Sequence, residues 1–201
     1  MSITMFFDTE TNGLPKNYKA SYKEVDNWPR VVQLAWVMKK DDVVLSTNSF
    51  ILSPEGITIP ADASKVHGIT EEIATLKGVD RKSVFRLFAN SISLVDRMVA
   101  HNFAFDAPVV SAELLRYGIS VDDSKRVKIC TMRASAKHCN LKSKVPGQPK
   151  WPKLEELHQK LFMEGVVGAH NALSDVEATI RCYDKLVTEG IISPAVSTKM
   201  D

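Results

Sequence analysis

Ile3-Thr4-Met5-Phe6-Phe7-Asp8-Thr9-Glu10-Thr11-Asn12-Gly13-Leu14 is the stretch on which the fold turns. Ile3 to Asp8 is a short apolar run ending at a polar, glycine-containing turn, the pattern of a buried strand. On an extended chain, side chains two apart project from the same face, so Asp8 and Glu10 set two carboxylates side by side. Such a pair repels itself and loses hydration unless a cation joins it. Hard oxygen donors favour magnesium or manganese as that cation. Two solvent-facing acids at a strand end would give the same pattern, so the motif needs support from elsewhere in the chain.

Working outward, Val31 to Met38 and Val43 to Leu52 are β-rich runs separated by Lys39-Lys40-Asp41-Asp42, which reads as a hairpin. Leu14 to Arg30 is irregular and mixes Lys16, Lys19, Lys23 and Arg30 with Tyr18, Tyr22 and Trp28. Ala61 to Leu76 reads as short helical pieces around Gly68. Arg81 to Asp96 carries Val84, Leu87, Phe88, Ile92 and Val95 at helical spacing. Met98 to His101 is a brief strand before a helix from about Phe105 to Tyr117, and Val127 to Thr131 is the last strand. Leu154 to Phe162 and Asn171 to Val187 are the closing helices, the second with Leu173, Val176, Ile180, Tyr183 and Val187 in one stripe. Three strands followed by helices alternating with single strands give an α/β fold, a mixed five-stranded sheet flanked by helices.

Two further segments hold acids in unusual places. In His101-Asn102-Phe103-Ala104-Phe105-Asp106, a strand gives way to a helix with an acid in its first turn. That position suits the helix dipole, yet Asp106 precedes Val109 and Val110 and so borders the apolar side. In Gly168-Ala169-His170-Asn171-Ala172-Leu173-Ser174-Asp175, the acid again leans toward the stripe of Ala172, Val176 and Thr179. His170 stands at or before the helix start, after a glycine that permits movement.

Taken together these segments resemble the DEDDh branch of the DnaQ-like 3′–5′ exonucleases, built on the ribonuclease H-like fold. Asp8, Glu10, Thr11, Gly13 and Leu14 match its Asp-x-Glu-Thr-x-Gly-Leu motif. His101, Asn102, Phe105 and Asp106 match His-Asn-x-x-Phe-Asp, and His170, Ala172 and Asp175 match His-x-Ala-x-x-Asp. His67-Gly68-Ile69-Thr70 is similar to a secondary signature of the same family. Asn12 stands where many relatives carry threonine. The likeness spans about residues 2 to 187, which places an exonuclease domain at 1–190 and a short tail at 191–201.

The resemblance implies a metal-dependent phosphodiesterase acting by a two-metal mechanism. Asp8, Glu10, Asp106 and Asp175 would hold two divalent cations, Mg2+ or Mn2+, with Asp8 bridging both. His170 would take the proton from the attacking water. Nucleoside 5′-monophosphates would leave from a nucleic acid with a free 3′ end, with DNA favoured over RNA. Leu14 and Ile69 would pack against the terminal bases and Phe105 would line the pocket, with Thr11, Gly13 and Asn102 as further substrate contacts. Leu14 and Phe105 would serve equally as plain core residues, and Asn102 as a helix cap. An RNA-directed relative and a binding module that does not cut remain alternatives, as do a polymerase proofreading subunit and a free-standing enzyme.

Composition excludes several other classes. Of 201 residues, 44% are hydrophobic and 25% charged, as in a globular domain, and no apolar run reaches the roughly 20 residues of a membrane span. The amino terminus lacks the basic region of a signal peptide, and three scattered cysteines suit a reducing, cytoplasmic setting. A net charge of +2, from 26 basic and 24 acidic residues, announces no nucleic acid partner by itself. The distribution says more: Lys137 to Lys153 holds five lysines and no acid, a track on which a phosphate backbone would lie. Cys130, His138 and Cys139 lack the paired spacing of a zinc site. There is no Walker-type loop and no Gly-x-Ser-x-Gly elbow.

Overall fold

The amino-terminal strand β1 (Ile3–Thr11) continues past the expected end at Asp8, which makes Glu10 and Thr11 sheet residues as well. The computed structural model describes residues 2–199. Met1, the first residue of the expected domain, and Met200 and Asp201, the end of the expected tail, lie outside the described residues. β1 is the middle of a five-stranded sheet with β2 (Val31–Lys40), β3 (Val43–Ile51), β4 (Arg97–Ala100) and β5 (Val127–Cys130), in the order β3-β2-β1-β4-β5. β1 runs antiparallel to β2, which forms the expected hairpin with β3 through Asp41 in a left-handed conformation. On its other side β1 runs parallel to β4, and β4 parallel to β5. The sheet is therefore mixed, as expected, and the carboxyl ends of β1, β4 and β5 share one edge.

Because β1 is paired on both sides, its alternating side chains feed two separate cores. Met5 and Phe7 join the core covered by α3 (Arg81–Ser93) and α4 (Phe103–Arg116). Phe6 joins the core under α5 (Thr131–Cys139), α6 (Leu154–Phe162) and α7 (Ala172–Thr188). The short α1 (Ala61–His67) and α2 (Glu71–Lys77) are the pieces expected around Gly68, which takes the left-handed conformation that ends α1.

Several details differ from the sequence reading. In α3, Leu87 faces solvent and Phe85 is buried in its place, so the apolar stripe is turned by part of a residue spacing. α4 starts at Phe103 rather than Phe105, and α5 was not anticipated: its short run Thr131–Cys139 has few large apolar residues to show a helical period. The buried side of α7 runs through Ala172, Val176, Thr179, Cys182, Tyr183 and Leu186, with Leu173, Ile180 and Val187 only at its margin. Trp28, in the irregular 14–30 segment, is buried and donates from Nε1 to the Ser21 carbonyl at 3.0 Å.

The carboxyl-terminal residues lie along the outer edge of β5. Thr198 N donates to the Lys128 carbonyl at 2.8 Å, and Lys128 N and Cys130 N donate to the hydroxyls of Ser197 and Thr198. This covers an edge that would otherwise present unpaired backbone groups. All three cysteines are buried and free, and among the described residues no helix is long and apolar enough to cross a membrane.

Candidate active site

The alternation that divides the cores also sorts the acids. Asp8 and Glu10 share the face of Phe6 and look toward α7, while Thr9 shares the face of Phe7 and looks toward α4. α7 is docked where the first pair can use it. Ala172 and Val176, one turn apart, are buried under the sheet, and Ala172 N donates to Gln33 Oε1 at 3.1 Å. Gln33 is the β2 residue opposite Glu10. Asn171 caps the helix by accepting from Leu173 N. Asp175, between Ala172 and Val176 in sequence, thereby comes to Asp8 and Glu10. One carboxylate oxygen from each of the three lies within 4.8 Å of the other two.

Asp106 arrives from the other face. It is 3% exposed, and its Oδ1 accepts from Thr9 N at 3.1 Å and from Thr9 Oγ1 at 2.7 Å. Asn102 begins α4: its carbonyl accepts from the amides of Phe105 and Asp106, but its side chain makes no capping bond. The cap expected of Asn102 is therefore not made: its carbonyl accepts the first helical bonds, and its side chain is left to other contacts. A register shift between Glu10 and Thr11 marks a bulge at this end of β1, a device that re-aims side chains beside a site.

Burial and neighbouring acids raise the proton affinity of all four carboxylates. Burial holds Asp8 well above the usual carboxylate range, and Asp106, Asp175 and Glu10 push it further. Glu10 is pushed up to about 8 by burial, then by Asp175 and Asp106. Burial lifts Asp106 to about 7 even though the Thr9 bonds favour its charged form. Asp175 is raised by burial, against the favourable effect of His170. Such a cluster is held at a cost that a multivalent cation removes, and its donors are all hard oxygens, so the residues fit magnesium or manganese.

His170 is exposed and has φ of +66°, two residues after Gly168 at +72°. Its amide donates to Asp175 Oδ2 at 3.2 Å, which ties the loop to the acid cluster. Leu14 is 72% exposed, whereas Ile69 is buried in a small cluster with Val32, Ile59 and Ala74. Phe105 is partly buried against the α4 core. Thr11 donates from Oγ1 to the Gly13 carbonyl at 2.7 Å, shaping the turn that carries Leu14. The structure brings the four acids and His170 together and leaves Leu14, Ile69 and Phe105 in three different settings.

The sequence pattern assigns no role to Thr9 or Gln33, and it marks His67 and His101 only as motif members. Thr9 had a signal: it is polar where the alternation Met5, Phe7 calls for another apolar residue. His67 accepts from Ile69 N through Nδ1, and burial, the largest influence, and His170 hold it below the usual histidine range against the pull of the Thr11 carbonyl. His101 is buried, with Nδ1 3.0 Å from Thr131 Oγ1 and Nε2 3.0 Å from the Pro152 carbonyl, and burial lowers it to about 4.

Comparison with known proteins adds the following. A family model described as an exonuclease (RNase_T) matches residues 5–183. An uncharacterized exonuclease, CP81, of Escherichia phage 186 is 26% identical over 192 residues, which is 92% of this chain and 89% of the phage protein. Escherichia coli Exonuclease I in complex with a dT13 oligonucleotide is similar in structure, with a TM-score of 0.71 and 20% identity over 94% of this chain. A zinc-bound form of the Exonuclease I complex with single-stranded DNA gives 0.74 and 19%. The chain spans 41% of the length of those Exonuclease I chains.

Proposed function

The chain belongs to the DnaQ-like 3′–5′ exonuclease family, and on that footing we propose that it removes nucleoside 5′-monophosphates from the free 3′ end of single-stranded DNA with two divalent cations, Mg2+ or Mn2+. The observation that carries the reading is the meeting of Asp8, Glu10 and Asp175 within 4.8 Å, with Asp106 fixed beside them by Thr9. These four carboxylates would hold the cations. Bound there, the cations supply charge neutralisation at the scissile phosphate and a more acidic water.

The protein's own residues supply the rest. The imidazole of His170 takes the proton of the attacking water, and its exposed position at the start of α7 leaves it free to swing toward a bound strand. The hydrogen bond that the His170 backbone N–H donates to Asp175 limits that swing to a short arc around the acids. Thr9 keeps one oxygen of Asp106 occupied, which fixes the direction of the other. Leu14, exposed at the rim, packs on the terminal base, with Thr11 and Gly13 shaping the turn that carries it; Phe105, partly buried, lines the pocket, and Ile69 supports it from its own buried cluster. The Asn102 side chain, unused as a cap, is available to a phosphate.

A strand labelled at its 5′ end, incubated with Mg2+ and in parallel with EDTA, tests the reading. A ladder shortening from the 3′ side, present only with the cation, is expected. Internal cuts would make the protein an endonuclease on the same scaffold. No cleavage of either DNA or RNA would leave a binding module.

A further inference from the structure

Resting on the reading above, we propose that Trp151, stacked on Arg133, is a platform for a base upstream of the nucleotide being released. Arg133 places its guanidinium carbon 4.5 Å from the centre of the Trp151 ring, yet the residue remains 52% exposed. One face of the indole is thus backed by a cation while much of the ring stays open to solvent. An exposed tryptophan ordinarily offers no fixed surface. Here the stack sets its orientation, which is what a flat ligand needs.

The platform sits on the edge of the sheet that holds the acids. Arg133 lies in the first turn of α5, just after the carboxyl end of β5, and β5 runs parallel to β4 and β1. The segment of Trp151 is pinned to the second acidic motif, because His101, next to Asn102, contacts the Pro152 carbonyl at 3.0 Å. Its other side is fixed to α6: Lys150 pairs with Glu156, and Lys153 N donates to Glu156 at 2.8 Å. Trp151 is therefore held between motif two and the start of α6.

The surroundings select the ligand class. Lys142, Lys144 and Lys153 are exposed in the same acid-free segment, which attracts a phosphate backbone without reading sequence. An aromatic face beside such a track suits an unpaired base, since every base has a π-face to offer. A paired base shows only its edge, so the platform favours a single strand at that position over a duplex.

The test uses the fact that Trp151 is the exposed member of three tryptophans, since Trp28 and Trp36 are 3% and 0% exposed. Intrinsic fluorescence is followed while an oligothymidylate is added to the whole protein in EDTA, which prevents cleavage. Quenching is expected, and Trp151→Ala should lose it and weaken binding by roughly 5- to 150-fold. Trp151→Phe should recover most of the affinity. On unaltered protein, an abasic site walked back from the 3′ end should relieve the quenching at one position only, which tests the contact without relying on a variant that folds. If the wild type releases nucleotides with Mg2+ but shows neither quenching nor an abasic effect, the platform is overturned and the exonuclease reading stands. If it neither binds nor cleaves the strand, the exonuclease reading falls and the platform with it.

Discussion

The two faces of β1 handle their acids in opposite ways. On the Thr9 face, Asp106 is buried and accepts both the amide and the hydroxyl of one neighbour. On the Asp8 face, Asp8, Glu10 and Asp175 crowd within 4.8 Å, and the third of them comes from a helix entered through two left-handed residues, Gly168 and His170. The first face is set by the fold alone. The second brings like charges together, a repulsion that a cation held there would offset. Division of labour follows: an anchored acid on one side of the strand, and on the other a charge cluster whose third acid follows an exposed loop.

The harshest way to break this comparison is to remove an acid from the crowded face. Asp8→Ala should reduce nucleotide release to background, a larger loss than the roughly 10²–10⁴-fold that loss of a general base brings. The same change should hold or raise the metal-free unfolding temperature, because it removes a carboxyl whose ionisation burial and its neighbours oppose. Release at the wild-type rate would separate the cluster from catalysis.

His170→Ala probes the loop before α7. The rate should fall by roughly 10²–10⁴-fold, while the rise in unfolding temperature on adding Mn2+ persists, since the four acids remain. If the variant instead loses the cation-induced rise, His170 serves the cluster rather than the proton, and the loop belongs with the anchor.

Thr9→Val sharpens the contrast from the anchored side. The valine keeps the shape and the backbone donor but removes the 2.7 Å hydroxyl bond to Asp106. A loss of roughly 10–100-fold in cation affinity or activity is expected, as for other groups that orient a ligand. Stability should fall by about 1.5–3 kcal/mol, the usual worth of a hydrogen bond to a charged group. Urea unfolding in EDTA and activity against Mg2+ concentration measure the two effects, and a change in neither would show that α4 and the Thr9 amide hold Asp106 without the hydroxyl.

How much of this was legible in sequence depended on the kind of signal. Asp8 and Glu10 could be placed on one face because strand geometry has a period of two, and Asp175 because acids beside an apolar helical stripe are few. The meeting of those acids across the sheet needed the family motifs, since strand order is not written in local pattern. α5 was missed because Met132 is the one large apolar side chain among its nine residues, which leaves little apolar periodicity to read. The role of Thr9 was hidden by its placement inside a motif whose acids drew the attention, although its polarity in a buried alternation was visible. His101 was read as part of a motif; its bond to Pro152 joins residues 51 apart in sequence, which no local rule reveals.

The gentlest prediction concerns pH without metal. An acid whose folded-state pKa lies above its unfolded value binds more protons when folded. The stability it contributes is therefore full below about pH 4 and is lost as pH rises through the folded value. Glu10 at about 8 and Asp106 at about 7 place part of that loss above pH 6.5. His101, lowered to about 4, and His67, lowered as well, work in the other direction, but only as pH falls below about 6.5, the ordinary histidine value. Above it both are neutral in the folded and unfolded chains alike. Between pH 6.5 and 8.5 in EDTA the unfolding temperature should thus decline by a few degrees, each kcal/mol being worth roughly 2–4 °C in a chain of this size. Mg2+ should raise it more at pH 8.5 than at pH 6.5, because the cation meets carboxylates already stripped of protons. A flat metal-free profile that Mg2+ lifts equally at both values would mean that the crowded face of β1 carries no strain for a cation to relieve, and the contrast between the two faces would lose its electrostatic basis.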